Sequence, residues 1–174
     1  ICQKVDSTSK FGYTIGVRTT AASTSEIFLL VNSGSSVLKA SIPKIRDGVF
    51  NHIAFVFNRS SSRNFISAYL NTKLTVTSSA RADFRKFGAS FRGQNFLVGS
   101  GTAVYSSSIV QSGKFPSFLP STTFTGSIDE FRVHHRVLTK DDIDKNYRRE
   151  IDQNEDLALY FRFNEPTGSL GNDS

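Results

Sequence analysis

Phe50-Asn51-His52-Ile53-Ala54-Phe55-Val56-Phe57, then the polar run Asn58-Arg59-Ser60-Ser61-Ser62-Arg63, then Phe65-Ile66-Ser67-Ala68-Tyr69-Leu70, Asn71-Thr72-Lys73 and Leu74-Thr75-Val76-Thr77 form one continuous stretch. Ile53, Phe55 and Phe57 recur with period two, which puts them on one face of a strand and not on a helical stripe. The polar run closes a hairpin into the second arm, and Asn71-Thr72-Lys73 turns tightly into a third.

The same signature extends outward from this stretch. Upstream, Phe11, Tyr13, Ile15 and Val17 alternate on one strand face. Thr19 to Ser25 reads as a turn. Glu26 to Val31 is an apolar run of strand length, Asn32-Ser33-Gly34-Ser35 punctuates it, and a strand follows from Ser36 to Ile42. Downstream, Asn95 to Gly99 reads as a strand, Ala103 to Tyr105 and Ile109-Val110 as weaker ones, and Phe124 to His134 as a strong one. A single helix is predicted over 140–149. Thr139 is its N-cap, Asp141 and Asp142 lie in its first turn, Ile143 and Tyr147 are spaced i,i+4, and Arg148 and Arg149 lie in its last turn. Leu157 to Phe163 forms a last strand. Many short strands and one short helix near the C-terminus predict an all-β fold, an antiparallel jelly-roll sandwich.

Composition agrees. Of 174 residues, 25 are Ser and 14 Thr, with 16 Phe and no Trp, a balance that favours strands. No window reaches the ~18 apolar residues of a spanning helix, so membrane insertion is not expected. The chain lacks Met and opens without a leader sequence, and is read as a piece of a longer protein. One cysteine, Cys2, cannot build an internal disulfide framework. Charge is uneven. Residues 1–128 carry 14 Lys/Arg against 4 Asp/Glu, whereas residues 129–174 carry 7 against 11. A basic body with an acidic end is soluble, and it also favours head-to-tail contacts or an anionic partner.

Gly126-Ser127-Ile128-Asp129-Glu130-Phe131-Arg132-Val133-His134-His135-Arg136-Val137-Leu138-Thr139 resembles the closing motif of laminin-G-like, concanavalin A-like jelly rolls, a Gly-x-Ile-Asp-Glu-Val-Arg strand leading into an Arg-Ala-Leu-Ser turn and a short helix. Phe50-Asn51-His52-Ile53-Ala54 is similar to the family's Trp-His-His-Val-Ala, and Leu70-Asn71-Thr72-Lys73-Leu74 to its Val-Asp-Gly-Lys-Leu turn. Phe11 to Arg18 resembles its Phe-Thr-Ile-Ser-Phe-Trp-Val-Lys strand. Leu159-Tyr160-Phe161-Arg162-Phe163-Asn164-Glu165-Pro166-Thr167-Gly168 looks like the strand that opens such a domain, placed here at the end. The expected organisation is therefore a sandwich over 1–156 and an extra strand within 157–174 that opens a following repeat or completes the sandwich. The chain departs from the family at every Trp and at the Gly of the hairpin turn.

The resemblance implies a structural Ca²⁺ at Asp129. Ca²⁺ takes six to eight oxygens, and Asn164 or Glu165 is expected to contribute. By alternation Asp129 shares a face with Phe131 and Val133, the expected core side, where a carboxylate needs a partner; an Arg or a turn cap serves equally. Arg81, Arg85, Lys86 and Arg92 interleave with Phe84, Phe87 and Phe91. That pattern suits an anion or another partner, and equally a loop whose Phe residues tuck inward; nucleic acid is not expected. Glu150-Ile151-Asp152-Gln153-Asn154-Glu155 resembles the catalytic strand of related β-glucanases, where two carboxylates ~5–5.5 Å apart act together. Its setting, after Arg148-Arg149 at a helix end and without any Trp, reads as a linker. His134 and His135 are neighbours and cannot chelate together on a strand, and His52 reads as a surface residue. Asn58-Arg59-Ser60 spells a glycosylation sequon at a hairpin tip. The resemblance thus implies no enzyme but a recognition or adhesion module, binding glycan or protein, in a larger extracellular or surface protein. The alternative is a packing module that contacts neighbouring repeats or subunits of an assembly such as a virion or filament. A β-glucanase-like glycosidase is the remote third reading.

Overall fold

A computed structural model describes residues 1–6, 11–33, 37–59, 63–80, 84, 94–99, 101, 123–147, 149–151 and 156–163. The chain divides into two compact units, Ile1–Thr125 and Gly126–Ser174. The described elements are strands and one short helix, and every strand pairing is antiparallel. This is the all-β class predicted above.

The first unit is a sandwich of two sheets. One has five strands: β1 (Cys2–Val5), β2 (Phe11–Ala21), β3 (Thr24–Ser33), β4 (Val37–Arg46) and β8 (Leu97–Val98), in the order β4-β3-β2-β1-β8. The other has three: β5 (Ile53–Arg59), β6 (Asn64–Leu70) and β7 (Lys73–Ala80), in that order. Period two sets the facing sides. Ile27 opposes Ile42, Leu29 opposes Ala40 and Val31 opposes Leu38. This apolar layer packs on Ile66 and Ala68 of the second sheet, while Tyr13, Ile15 and Val17 lie against the same core from β2. Phe84 is fully buried in it and meets Phe57 edge-on, with ring centroids 5.8 Å apart. Of the loop that interleaves Phe with Arg, Phe84 is described and it tucks inward.

Within this unit three elements differ from the sequence expectation. The stretch 19–25, read as a turn, continues the strands: β2 accommodates one extra residue near Thr20, whose hydroxyl donates to the Thr24 carbonyl at 3.0 Å. β4 runs past Pro43 to Arg46 because one extra residue bulges there, with Lys44 in the left-handed region at φ 56°. β1 carries no alternation, so its pairing was not legible. It is held by its ladder to β2 and by Gln3 Nε2 donating to Thr14 Oγ1 at 3.0 Å.

The second unit pairs β9 (Phe131–His134) with β10 (Leu157–Phe161), preceded by helix α1 (Lys140–Asn146). β9 is shorter than the expected 124–134 strand. Glu130 sits at φ 52°, which no extended strand allows, and this breaks the alternation before Phe131. Asp129 is therefore off the strand and exposed, not on the core side with Phe131 and Val133. The helix starts at its predicted cap: Thr139 and Asp142 form a reciprocal capping box. It ends three residues early, at Asn146. There Arg132 donates to the Asn146 carbonyl at 3.0 Å and also to that of Arg149, drawing the backbone out of the helical path.

Candidate functional site

Three polar arrangements are candidates for chemistry. On the side of the five-stranded sheet away from the core, Glu26 is nearly buried. Its carboxylate accepts from Arg18 and lies 3.0 Å from Lys39 Nζ. Burial opposes its ionisation, but hydrogen bonds from Ser41, Lys39 and Arg18 outweigh it and hold Glu26 below the ordinary carboxylate range. A carboxylate neutralised by two cations is a poor general acid. Beside it Phe28 lies over Gly16, where a Cβ would come within 2.4 Å of the ring, and Lys39 Nζ stands 5.0 Å from that ring's centroid.

The second arrangement lies in the second unit. Glu130 accepts from Arg132 and, at 2.5 Å, from the Tyr160 hydroxyl, while Arg132 stacks 5.2 Å from the Tyr160 ring centroid. Arg162 pairs with Glu150. Arg136 clamps Asp142 with two hydrogen bonds of 2.8 and 3.1 Å and reaches Asp156 at 2.8 Å. These pairs tie β9, α1 and β10 together, which is structural work. Cys2 offers no nucleophile either, since burial pushes its thiol up to about 11.

The third arrangement is the end of the sandwich, where β4 leads to β5 and β6 turns into β7. Gly48, at φ 77° with no atom within 4 Å of a would-be Cβ, lets the chain reverse in the open. Val49 and Phe50 follow, 52% and 76% exposed. The loop carrying them is braced. Asn51 Nδ2 donates to the carbonyls of Val49 at 3.1 Å and Arg46 at 3.5 Å. Asn71 Nδ2 donates to Asn51 Oδ1, and Asn71 Oδ1 accepts from the His52 amide at 3.0 Å. The Asp47 amide donates to the Ser23 carbonyl at 3.0 Å and its carboxylate accepts from Ser25 at 2.9 Å. Amides and carboxylate are thus spent on the frame. What the tip presents outward is Val49 and Phe50, with Lys44, Arg46 and Lys73 exposed around them and Leu74 at the same end. Sequence reasoning placed Phe50 in a strand arm. The signal that reveals the tip is Asp47-Gly48, a turn pair directly before two apolar residues.

Of the residues singled out in the sequence, Asp129 is described and exposed; Asn164, Glu165, Arg81, Arg85, Lys86 and Arg92 lie outside the described residues. Among the described residues no three His, Cys, Asp or Glu side chains gather as metal ligands, so nothing described there completes a Ca²⁺ shell around Asp129. Glu150 is exposed and salt-bridged to Arg162, and Glu155 lies outside the described residues. His134 is half-buried on β9 and His135 exposed beyond it. Asn58 is exposed near the end of β5, facing Phe65 across the ladder.

A family model described as the concanavalin A-like lectin/glucanases superfamily, of laminin-G type, matches residues 3–144. Comparison with curated proteins and with solved structures returned no match. No helix among the described residues is long and apolar enough to cross a membrane.

Proposed function

Because this chain belongs to the concanavalin A-like lectin/glucanase superfamily, we propose that it is a non-catalytic recognition and adhesion module of a larger surface or extracellular protein, and that it docks through the tip at Val49 and Phe50. The observation carrying this reading is the braced loop with Phe50 76% exposed. Leaving a large ring in water costs the fold stability it would gain by burying it. A framed loop that holds such a ring outward lowers the ordering cost of binding. A protein partner suits the tip better than a glycan, because the Asn51 and Asn71 amides that would meet sugar hydroxyls are already bonded within the frame. The neutralised Glu26 and the salt-bridged Glu150 support a binding role over hydrolysis.

The test compares wild type with Phe50→Ser and Val49→Ser for binding to intact cells and to a glycan array, beside a β-glucan hydrolysis assay. Loss of binding in a variant that melts as wild type supports the reading. Unchanged binding, or hydrolysis by the wild type, overturns it. Calcium enters the proposal through Asp129, with Asn164 and Glu165 as its further oxygens: Ca²⁺ against EGTA should then shift the melting temperature, and Asp129→Asn should remove the shift.

A further inference from the structure

We infer that Asn58 is an acceptor site for an N-linked oligosaccharide, and that the first sugar of this glycan lies on the ring of Phe65. The inference rests on the surface or extracellular placement proposed above, since the glycan donor is met on the secretory route, and not on the tip at Val49 and Phe50. Asn58-Arg59-Ser60 has the form the transfer needs: an asparagine amide, a residue other than Pro, and a hydroxyl two residues on. In the transfer, Asn58 Nδ2 bonds to C1 of an oligosaccharide carried on a polyprenyl diphosphate. The C1–O bond to the diphosphate breaks, the diphosphate leaves with that electron pair, and the amide gives up one proton.

Placement is what makes this short motif a site. Phe57 packs against the core, so by alternation its neighbour Asn58 points out of the sandwich, and Asn58 is exposed. Among the described residues no hydrogen bond occupies its side-chain amide. β5 ends at the next residue, Arg59, and β6 begins at Asn64, so the motif straddles the point where the strand gives way to its connection. Phe65 stands directly opposite Asn58 in the ladder. It faces the same outer side, because the next residue, Ile66, is the one buried in the core. Side chains opposed in this way have Cβ atoms about 4.5–5.5 Å apart, which brings a sugar on Asn58 to the Phe65 ring. That ring is half-buried and can be reached from water: the exposed Arg63 stands 5.8 Å from its centroid. A pyranose presents a row of C–H groups that suits the negative face of the ring, and it covers apolar surface that otherwise stays wet. The site lies away from the docking tip. From Ile53, at the tip end of β5, the extended strand rises about 17 Å to Asn58. A glycan there leaves Val49 and Phe50 uncovered.

The test secretes the 174-residue chain from cultured animal cells behind a leader peptide and reads its intact mass before and after treatment with peptide-N-glycosidase. A second match, Asn172-Asp173-Ser174, lies outside the described residues, so every protein measured carries Asn172→Gln. An oligosaccharide mass that the enzyme removes is expected. Asn58→Gln and Ser60→Ala should each abolish it, and Ser60→Thr should keep it. A secreted chain with the mass of the bare polypeptide overturns the inference. The seat on Phe65 is read by melting. The glycosylated protein should melt a few degrees above Asn58→Gln, and trimming the glycan to its first sugar should keep that gain. In a Phe65→Thr background the gain should vanish while the glycan remains, which isolates the contact between sugar and ring. A gain of the same size without the Phe65 ring, or no gain at all, overturns the seat and leaves the acceptor. Binding to intact cells separates this inference from the docking reading. Asn58→Gln should bind as wild type does. A bare chain that binds through its tip overturns the glycan alone, and a glycosylated chain whose tip variants bind unchanged overturns the docking reading alone.

Discussion

Thr72 shows how one residue stores strain for a turn. Asn71 and Thr72 join β6 to β7 as a two-residue loop, both in the left-handed region at φ 49° and 69°. A type I′ turn demands this. Asn tolerates it; a β-branched Thr does so at a cost of about 1–2 kcal/mol. Thr72→Gly removes that strain but frees the unfolded chain by about 0.4–1 kcal/mol. The expected net gain is about 0.5–1 kcal/mol, read as a rise in the urea midpoint; no rise would mean that the turn carries no strain. His134 makes a different residue-scale prediction. Burial, then the guanidiniums of Arg136 and Arg132, hold its imidazole below the ordinary 6.5, against the pull of Asp156 and Asp142. Among the described residues its buried Nδ1 has no hydrogen-bond partner. In this range the unfolded chain binds more protons than the folded one. The stability His134 contributes is thus present above 6.5 and lost as pH falls below it. His134→Gln should flatten the fall in stability as pH drops below 6.5. An unchanged slope would assign the pH response elsewhere.

At the scale of elements, helix α1 spans only seven residues and depends on its ends. Thr139→Ala removes the hydroxyl that accepts from the Asp142 amide and should cost about 1 kcal/mol. Hydrogen exchange reads this directly at the Ile143 amide, which donates to the Thr139 carbonyl. Faster exchange there, with β3 amides unchanged, is expected; unchanged exchange at Ile143 would mean that the Arg136–Asp142 clamp alone holds the turn. The cap was legible because it is local chemistry within four residues. The far end was not, because Arg132 reaches it from β9, 14 residues away. The same contrast runs through the strands. β5 was legible from the period-two spacing of Ile53, Phe55 and Phe57, and β6 and β7 from the polar run and the Asn71-Thr72-Lys73 turn that bound them. β1 was not, since Cys2 and Gln3 are placed by Ile15 and Thr14 across a ladder. The stretch before β9 misled because alternation assumes extended backbone, and Glu130 leaves that region. Asp129 is exposed as a result, not on the core side that alternation gave it.

At the scale of the whole molecule, the candidate site was the least legible part. Alternation separates apolar from polar faces, but it cannot tell an apolar side chain sealed in a core from one held in water by a braced loop. Ile66 and Phe50 look equivalent in the hairpin sequence, 16 residues apart. In the structure they are opposites: Ile66 is fully buried between the sheets, whereas Phe50 is 76% exposed. Their substitutions must therefore part company. Ile66→Ala leaves a cavity where relaxation is restricted and should cost about 2–5 kcal/mol. That is a large share of the roughly 5–15 kcal/mol that holds a domain folded. Phe50→Ser removes more apolar surface but little of it from a packed environment, and should stay within about 0.5 kcal/mol of wild type. Urea denaturation of both variants decides between the two roles. Equal losses would place Phe50 in a core, and the tip would then have no side chain to offer a partner. A silent Phe50→Ser beside a damaged Ile66→Ala leaves the ring without a part in folding, and binding as the role that accounts for holding it in water.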